Sequence, residues 1–538
     1  MAASFDRDAR TALADGQLRG ALRQATDLFA ERRRAALATV PDWEGARDRA
    51  RAIKDETLLH LDRYLEQFTT NAERAGARVH WARDAAEACE IIGRIAEQRG
   101  ARSVVKSKSM ASEEIHLNER LARRGIEPVE TDLGEYIVQL AGETPSHIVV
   151  PAIHKTKAQI AALFAEKLGI ELSDDVATLA AAARQALRRR FAEADLGISG
   201  VNFAVAETGT ILILENEGNA RLTTSLPRTH VALMGIEKVI PRFADLEVFL
   251  QLLPRSGTGQ VLTAYQSLIT GTKRRPEDEG PEQLDIVVMD NGRSRMLASA
   301  LTRQSLACIR CGACLNACPV YRQIGGHAYG SVYPGPIGAI VTPQLFGLAQ
   351  SSALPYASSL CGACRDVCPV KIDIPAVLLH LRAQVVERRA GSGGALERLA
   401  FSAYAAGPSG SCHRCERGPS GATFAPSRRT VFASSGGPGC ATRRHRDRRR
   451  RGPARHPARG AGEPGSRALT PWPPLRSGEG GCSEFPLSRR ERGSGGEDLH
   501  RAARRRRRAV HRRVRRGGGR SLAGPHPDGR RCPSRGRL

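Results

Sequence analysis

Seven cysteines carry the densest chemistry in the chain. Cys308, Cys311, Cys314 and Cys318 follow the spacing C-x2-C-x2-C-x3-C and run into Pro319. After 42 intervening residues, Cys361, Cys364 and Cys368 follow C-x2-C-x3-C and run into Pro369. Tight C-x2-C turns let one loop supply three thiolates to an iron–sulfur cubane, while the fourth cysteine, one turn further on, reaches a neighbouring cluster. The proline turns the chain away and removes a backbone donor. Paired C-x2-C motifs also serve structural zinc, but zinc takes its ligands in fours. Four cysteines followed by three, each set closed by Cys-Pro, fit zinc poorly and cubanes well.

The cross-over of the fourth cysteine sets an expected partition. Cluster one takes Cys308, Cys311, Cys314 and Cys368; cluster two takes Cys318, Cys361 and Cys364. Cluster two is then one thiolate short, and reading back from Cys368 the missing position falls at Ser358. Two 4Fe–4S clusters are the expectation. The alternatives for cluster two are a 3Fe–4S centre or a non-cysteine fourth ligand: a serine, a histidine, a water or a distant cysteine.

These cysteines must be held by the rest of a 538-residue chain, long enough for two or three domains. The formal charge of +26 is unevenly spread. From Ala405 onward there are 33 arginines, no lysine and 9 acidic residues, so the part before it carries a net charge of only +2. That part offers no electrostatic argument for nucleic acid. No apolar signal region opens the chain and no stretch reaches 18 apolar residues, so the expectation is a cytoplasmic protein without a transmembrane helix, whose membrane contact would be peripheral. Thirteen cysteines in such a chain read as metal ligands rather than disulfides. Cys89, in a helical pattern, reads as a small core residue.

Residues 1–70 read as a helical region, from apolar positions such as Leu58, Leu61, Leu65 and Phe68 at helical spacing. Residues 71–295 alternate short apolar runs with helical patterns, which argues for an α/β domain with a mostly parallel sheet. Strands are expected at Arg78–Ala82, Ser103–Lys106, Pro128–Thr131, His147–Pro151, Val201–Ala206, Thr210–Leu214, His230–Ile236, Gln260–Thr270 and Asp285–Met289. Helices are expected at Ala85–Arg99, Ser112–Arg124, Gly134–Ala141, Lys157–Leu168, Asp174–Ala194 and Phe243–Leu253. Gly209 fits a tight hairpin or a bend. Residues 296–404 form the cysteine-bearing domain. Residues 405–538 are rich in arginine, glycine, proline and serine, show no apolar periodicity and read as a disordered basic tail. Its composition reads as a frame-shifted translation of a GC-rich gene, ahead of a basic arm for nucleic acid. Cys412, Cys415, Cys440, Cys482 and Cys532 within it read as incidental.

Several strings carry a resemblance. Val104–Met110 (VVKSKSM), Glu130–Leu140 (ETDLGEYIVQL), Pro145–Lys155 (PSHIVVPAIHK), Ala206–Asn219 (AETGTILILENEGN) and the seven-cysteine pattern ending in CGACRDVCPVKIDIP resemble the lactate-utilisation protein B family over roughly residues 20–400. The resemblance implies a LUD domain of the NagB/RpiA/CoA-transferase-like α/β fold. It also implies a small α-helical domain of bacterial-ferredoxin type and a multi-subunit system oxidising L-lactate to pyruvate. The family's C-terminal region is not recognisable after about Ala405, a departure from the pattern.

The leading expectation is therefore an iron–sulfur electron-transfer subunit, partnered by other subunits of a lactate-oxidising complex at or near the respiratory chain. The alternative is a self-contained LUD-domain oxidoreductase acting on another organic acid or a phosphorylated metabolite. A zinc and nucleic-acid binder is a remote third. For the second reading, polar residues at strand ends are the candidates. Lys106, Ser107, Lys108 and Ser109 could hold an anion, and Glu207, in the turn Glu207-Thr208-Gly209-Thr210, could act as a general base or orient a cation, with Glu215 and Asn219 beyond. The bland readings are a solvated loop and an ordinary turn. His147 and His154 flank an apolar run and read as structural. No G-x-G-x-x-G follows the early strands, and no flavin motif is present.

Overall fold

The computed structural model describes residues 2–392; the basic tail over 405–538 and its five cysteines lie outside the described residues. Ten strands run through the described part: β1 Arg78–Ala82, β2 Ser103–Lys106, β3 Glu127–Glu130, β4 Leu196–Gly200, β5 Phe203–Val205, β6 Thr210–Glu215, β7 Thr229–Gly235, β8 Val239–Ile240, β9 Tyr265–Ile269 and β10 Gln283–Met289. Six form one parallel sheet in the order β1-β10-β7-β4-β2-β3. A parallel sheet is covered on both faces, which is why β7 is buried along its whole length. The helix Ala85–Gln98 shows how the crossovers form. Asp84 caps its start by accepting the Glu87 N–H at 2.9 Å. Its Ile91, Ile92 and Ile95 then pack with Val104, Leu196, Val231 and Val287 of the sheet.

Strand order reverses between β2 and β4: β3 is added outside β2, whereas β4, β7 and β10 are added on its other side. Open α/β sheets leave a crevice at such a reversal, beyond the carboxyl ends of the strands. A second sheet, β8-β5-β6-β9, flanks the first, and β5 and β6 form the expected hairpin. Gly209 turns it at φ +69°, and a Cβ there would lie 2.3 Å from the Ala72 nitrogen. Only glycine meets both demands.

The structure corrects several expected elements. His147–Pro151 is not a strand, because the His147 Nδ1 accepts the N–H groups of Val149 and Val150 at 3.0 and 3.1 Å and folds the segment into a turn. Ser112–Arg124 is two helices, Met110–Glu114 and Leu117–Ala122, parted at His116 with φ +53°. The central strand β4 was not expected. Its Gly197 weakens any strand pattern, yet a Cβ there would lie 1.9 Å from the Thr223 carbonyl, so the packing demands it. The stretch expected as a strand over Gln260–Thr270 is extended only at Tyr265–Ile269, and the two-residue β8 was too short to read.

Four helices, Ala2–Ala14, Gly16–Leu37, Trp43–Leu59 and Leu61–Arg74, fill the N-terminal region. They bind the cysteine-bearing segment closely. Arg47 donates to the Cys368 carbonyl at 2.8 and 3.0 Å and to the Asp366 carbonyl at 2.9 Å. Arg51 reaches the Lys371 carbonyl and Arg33 the Val367 carbonyl. One apolar core joins Leu22, Ala46 and Ala50 to Phe249, Leu315 and Tyr321.

Candidate functional site

The cysteine loops are short turns followed by single helical turns. Arg310 at φ +61° and Gly312 at φ +77° bend the first loop into the helix Ala313–Ala317. A left-handed arginine is unfavourable, and contacts made by its side chain offset this. Its guanidinium stacks 4.4 Å over the Tyr333 ring and lies 3.5 Å from Glu237. Arg310 N–H donates to Cys308 Sγ at 3.4 Å, and Ile372 N–H to Cys368 Sγ at 3.3 Å.

Four of the seven thiols share one space. Cys308, Cys311, Cys314 and Cys368 line one cavity, whose other walls include Ile148, Ile337, Val370 and Ile372. Among the described residues no three His, Cys, Asp or Glu converge as ligands of a single metal ion; these four stand around a space instead. Burial pushes the Cys311, Cys314 and Cys368 thiols up, and the charge of Cys308 adds to this at each. Burial likewise raises Cys318 and Cys364, with Cys361 charge acting on both and Cys318 charge on Cys364. Crosstalk between sets runs through Cys314, which feels Cys364. Crowded, buried thiols that resist ionising alone are the donor set a cationic iron–sulfur core would convert to thiolates. With N–H groups aimed at sulfur and apolar walls, the residues fit such a core.

A buried ion-pair network ties the first loop to the parallel sheet. Arg293, the first residue of the helix Arg293–Leu297 after β10, donates to Glu114 at 2.7 and 2.8 Å and to Glu237 at 2.6 Å. Tyr333 O–H donates to Glu114 at 2.6 Å. Burial alone would raise Glu237, but the charges of Arg293, Arg310 and Lys238 outweigh it and hold Glu237 at about 2. Gly235 is needed here, since a Cβ would lie 2.1 Å from Glu237 Oε2. A second tie runs through His147. With Nδ1 accepting backbone N–H groups, Nε2 carries the proton and donates to Asn316 Oδ1 at 3.2 Å, and Asn316 Nδ2 donates to the Gly257 carbonyl. Burial holds this imidazole neutral, at about 3.

Between the strand ends and the first cysteine loop lies a cavity of about 380 Å³. The segments after β2 (Ser107, Lys108, Ser109), β4 (Val201, Asn202) and β7 (Glu237, Lys238) wall one side, and Arg310 and Cys311 close the other. Cys311 lines both this cavity and the thiol-lined one. Ser107 Oγ and Arg310 Nη1 are buried without a partner, and the Lys238 ammonium makes no hydrogen bond or ion pair among the described residues. Burial lowers that ammonium to about 8. Glu215, Glu217 and Asp132 form an acidic end; burial, with Asp132 charge, raises Glu217 to about 7.

The two weak catalytic candidates do not line this cavity. Lys106 is wholly buried, paired with Glu113 at 2.8 Å and Glu130 at 2.6 Å. Burial alone would lower its ammonium, but the two carboxylates hold it raised. Glu207 is exposed and caps the next segment by accepting Phe243 N–H at 2.8 Å, while Asn71 locks the carbonyls of Ala206 and Glu207. In this arrangement both carboxylate-paired Lys106 and capping Glu207 are engaged by protein partners outside the cavity. Ser107, Lys108, Ser109, Glu215 and Asn219 do line the cavity. Lys238, Arg310 and the Arg293–Glu114–Glu237 network were missed; the signal for Lys238 was its position directly after an apolar strand.

Comparison with known proteins agrees with this geometry. Residues 65–289 match the LUD domain family and residues 304–372 the 4Fe-4S dicluster domain family. Lactate utilization protein B of Macrococcus caseolyticus is 45% identical over 407 residues, covering 76% of this chain and 85% of that protein. The Bacillus pumilus protein of the same name is 46% identical over 398 residues (74% and 84%), and that of Geobacillus kaustophilus 45% over 441 residues (81% and 91%). The expected architecture, a LUD domain with a mostly parallel α/β sheet followed by a helical 4Fe-4S region, is borne out. No helix among the described residues is long and apolar enough to cross a membrane. By identity across most of both lengths, the chain belongs to the lactate utilization protein B family.

Proposed function

We propose that this chain is the iron–sulfur electron-transfer subunit of a complex that oxidises L-lactate to pyruvate. The observation that carries the reading is the cavity shared by Cys308, Cys311, Cys314 and Cys368, which meets a polar cavity at the sheet's switch point through Cys311. Lactate oxidation releases two electrons and two protons, and each cluster passes one electron at a time. Cys308, Cys311, Cys314 and Cys368 would hold one cluster; Cys318, Cys361 and Cys364 would hold the second. The chain's own residues supply N–H groups to the Cys308 and Cys368 sulfurs and apolar walls to the first set, while Cys361 is exposed. The names of the relatives support lactate as the fuel. The test is to combine the anaerobically purified chain with its companion subunits and add L-lactate. Bleaching of the cluster absorbance as pyruvate appears is expected; pyruvate formation with clusters left oxidised would sink the reading.

A second reading, that the LUD domain itself holds the organic acid, is favoured by the cavity. Lys238, Arg310 and Ser107 present unpaired donors to it, as a carboxylate requires.

A further inference from the structure

The two cysteine loops are one motif used twice. Cys308-Ile-Arg-Cys311-Gly-Ala-Cys314 and Ser358-Ser-Leu-Cys361-Gly-Ala-Cys364 stand in register fifty residues apart, and Cys318-Pro-Val and Cys368-Pro-Val continue the register. The backbone repeats with it. Arg310 and Leu360, each just before the second cysteine position, have φ +61° and +56°; Gly312 and Gly362, just after, have φ +77° and +86°. A left-handed leucine is as unfavourable as a left-handed arginine, so its recurrence marks an imposed loop shape. Short helices follow each, Ala313–Ala317 and Ala363–Asp366.

Ser358 occupies the position of Cys308 in this repeat and copies its hydrogen bond. Cys308 Sγ accepts Arg310 N–H at 3.4 Å, and Ser358 Oγ accepts Leu360 N–H at 3.1 Å. The Ser358 hydroxyl donates to no other group among the described residues. Its backbone is pinned: Arg382 donates to the Ser358 carbonyl at 3.1 Å and to the Pro355 carbonyl at 2.8 Å while stacking 5.0 Å over Tyr356. The half-buried Ser358 hydroxyl thus stands where the first loop puts a thiol, accepts the equivalent N–H, and donates to no protein acceptor among the described residues.

We infer that Ser358 Oγ is the fourth protein ligand of the second cluster, completing the set of Cys318, Cys361 and Cys364. The assignment rests on the iron–sulfur reading above and deepens it. On ligation an Fe–O bond forms and the hydroxyl proton leaves to solvent; no electron is transferred. A hard oxygen donor beside three thiolates sets this cluster apart from the first, whose ligands are all sulfur.

The test is iron and sulfide content with EPR and redox titration on the full chain purified anaerobically, as wild type, Ser358→Ala and Ser358→Cys. Expected are about eight irons per chain in wild type, with two 4Fe signals. Ser358→Ala should lose about one iron and show a 3Fe signal after mild oxidation, with the first cluster unchanged. Ser358→Cys should keep about eight irons and move the potential of the second cluster alone. About seven irons with a 3Fe signal already in wild type would mean a vacant corner and overturn the assignment. So would a Ser358→Ala protein identical to wild type in iron, spectrum and potential. Zinc without sulfide in wild type would instead overturn the iron–sulfur reading and this assignment with it, whereas loss confined to the second cluster leaves that reading standing.

Discussion

Arg293 and Glu114 meet as a two-pronged ion pair, with Nη1 2.8 Å from Oε1 and Nη2 2.7 Å from Oε2, both side chains fully buried. They join the helix after β10 to the helix after β2, and through Tyr333 and Glu237 they reach the Arg310 of the first cysteine loop. Removing one charge of a buried pair strands the other. Glu114→Gln should cost about 3–5 kcal/mol in anaerobic denaturation and change the EPR line shape of the first cluster. A loss under about 1 kcal/mol, the range of a surface pair, would contradict this role.

The division of thiols predicts separable clusters. Cys308→Ala should lose or alter the first cluster's 4Fe signal and leave the second's unchanged, and Cys318→Ala should do the reverse, with the iron loss in each confined to the altered cluster. Measurement is by EPR spin count and iron analysis. Loss of both signals in both variants would mean the sets are not independent.

If the cavity holds a carboxylate, Lys238 should carry much of the affinity. Lys238→Met should weaken L-lactate or pyruvate binding by about tenfold or more, the worth of a charge-assisted hydrogen bond, with iron content unchanged. The ammonium sits among Glu237, Arg310, Arg293 and Cys308, and burial brings it down to about 8. It is charged below that pH and neutral above it, so binding should be tight at pH 7 and weaken as pH rises through about 8. Calorimetry across this range checks it; a flat profile in wild type would remove Lys238 from the site.

Lys106 and Glu207 should part company. Lys106→Met leaves the buried Glu130 and the half-buried Glu113 without their cation and should destabilise the fold by about 3–5 kcal/mol. Glu207→Gln loses one exposed capping contact and should leave ligand binding and both clusters as they were. Weakened lactate binding in a stable Glu207→Gln protein would return this turn to the list of candidates.

The positions of the seven cysteines were legible because ligand spacing is a property of one short loop. Cys-x2-Cys turns and the proline after the last cysteine act over a few residues, and the chain states them directly. The parallel sheet was legible for a related reason, since β2, β7 and β10 are apolar runs bounded by helical patterns. Local signals failed where a distant contact overrode them. His147–Pro151 has the residues of a strand, but one imidazole captures its backbone donors. β4 contains a glycine that only the Thr223 carbonyl explains.

The sequence by itself determined the iron–sulfur character, the α/β class and the missing eighth cysteine, because each depends on residue type and short spacing. Tertiary structure alone decided that Lys106 is a buried counterion, that Lys238 and Arg310 face one cavity, and that Arg293 binds Glu114 and Glu237. Those partners lie far apart along the chain and meet only where the sheet's strand ends pack against the cysteine loops. A buried charge takes its role from the neighbours that folding brings to it, and no spacing in the chain records which those will be.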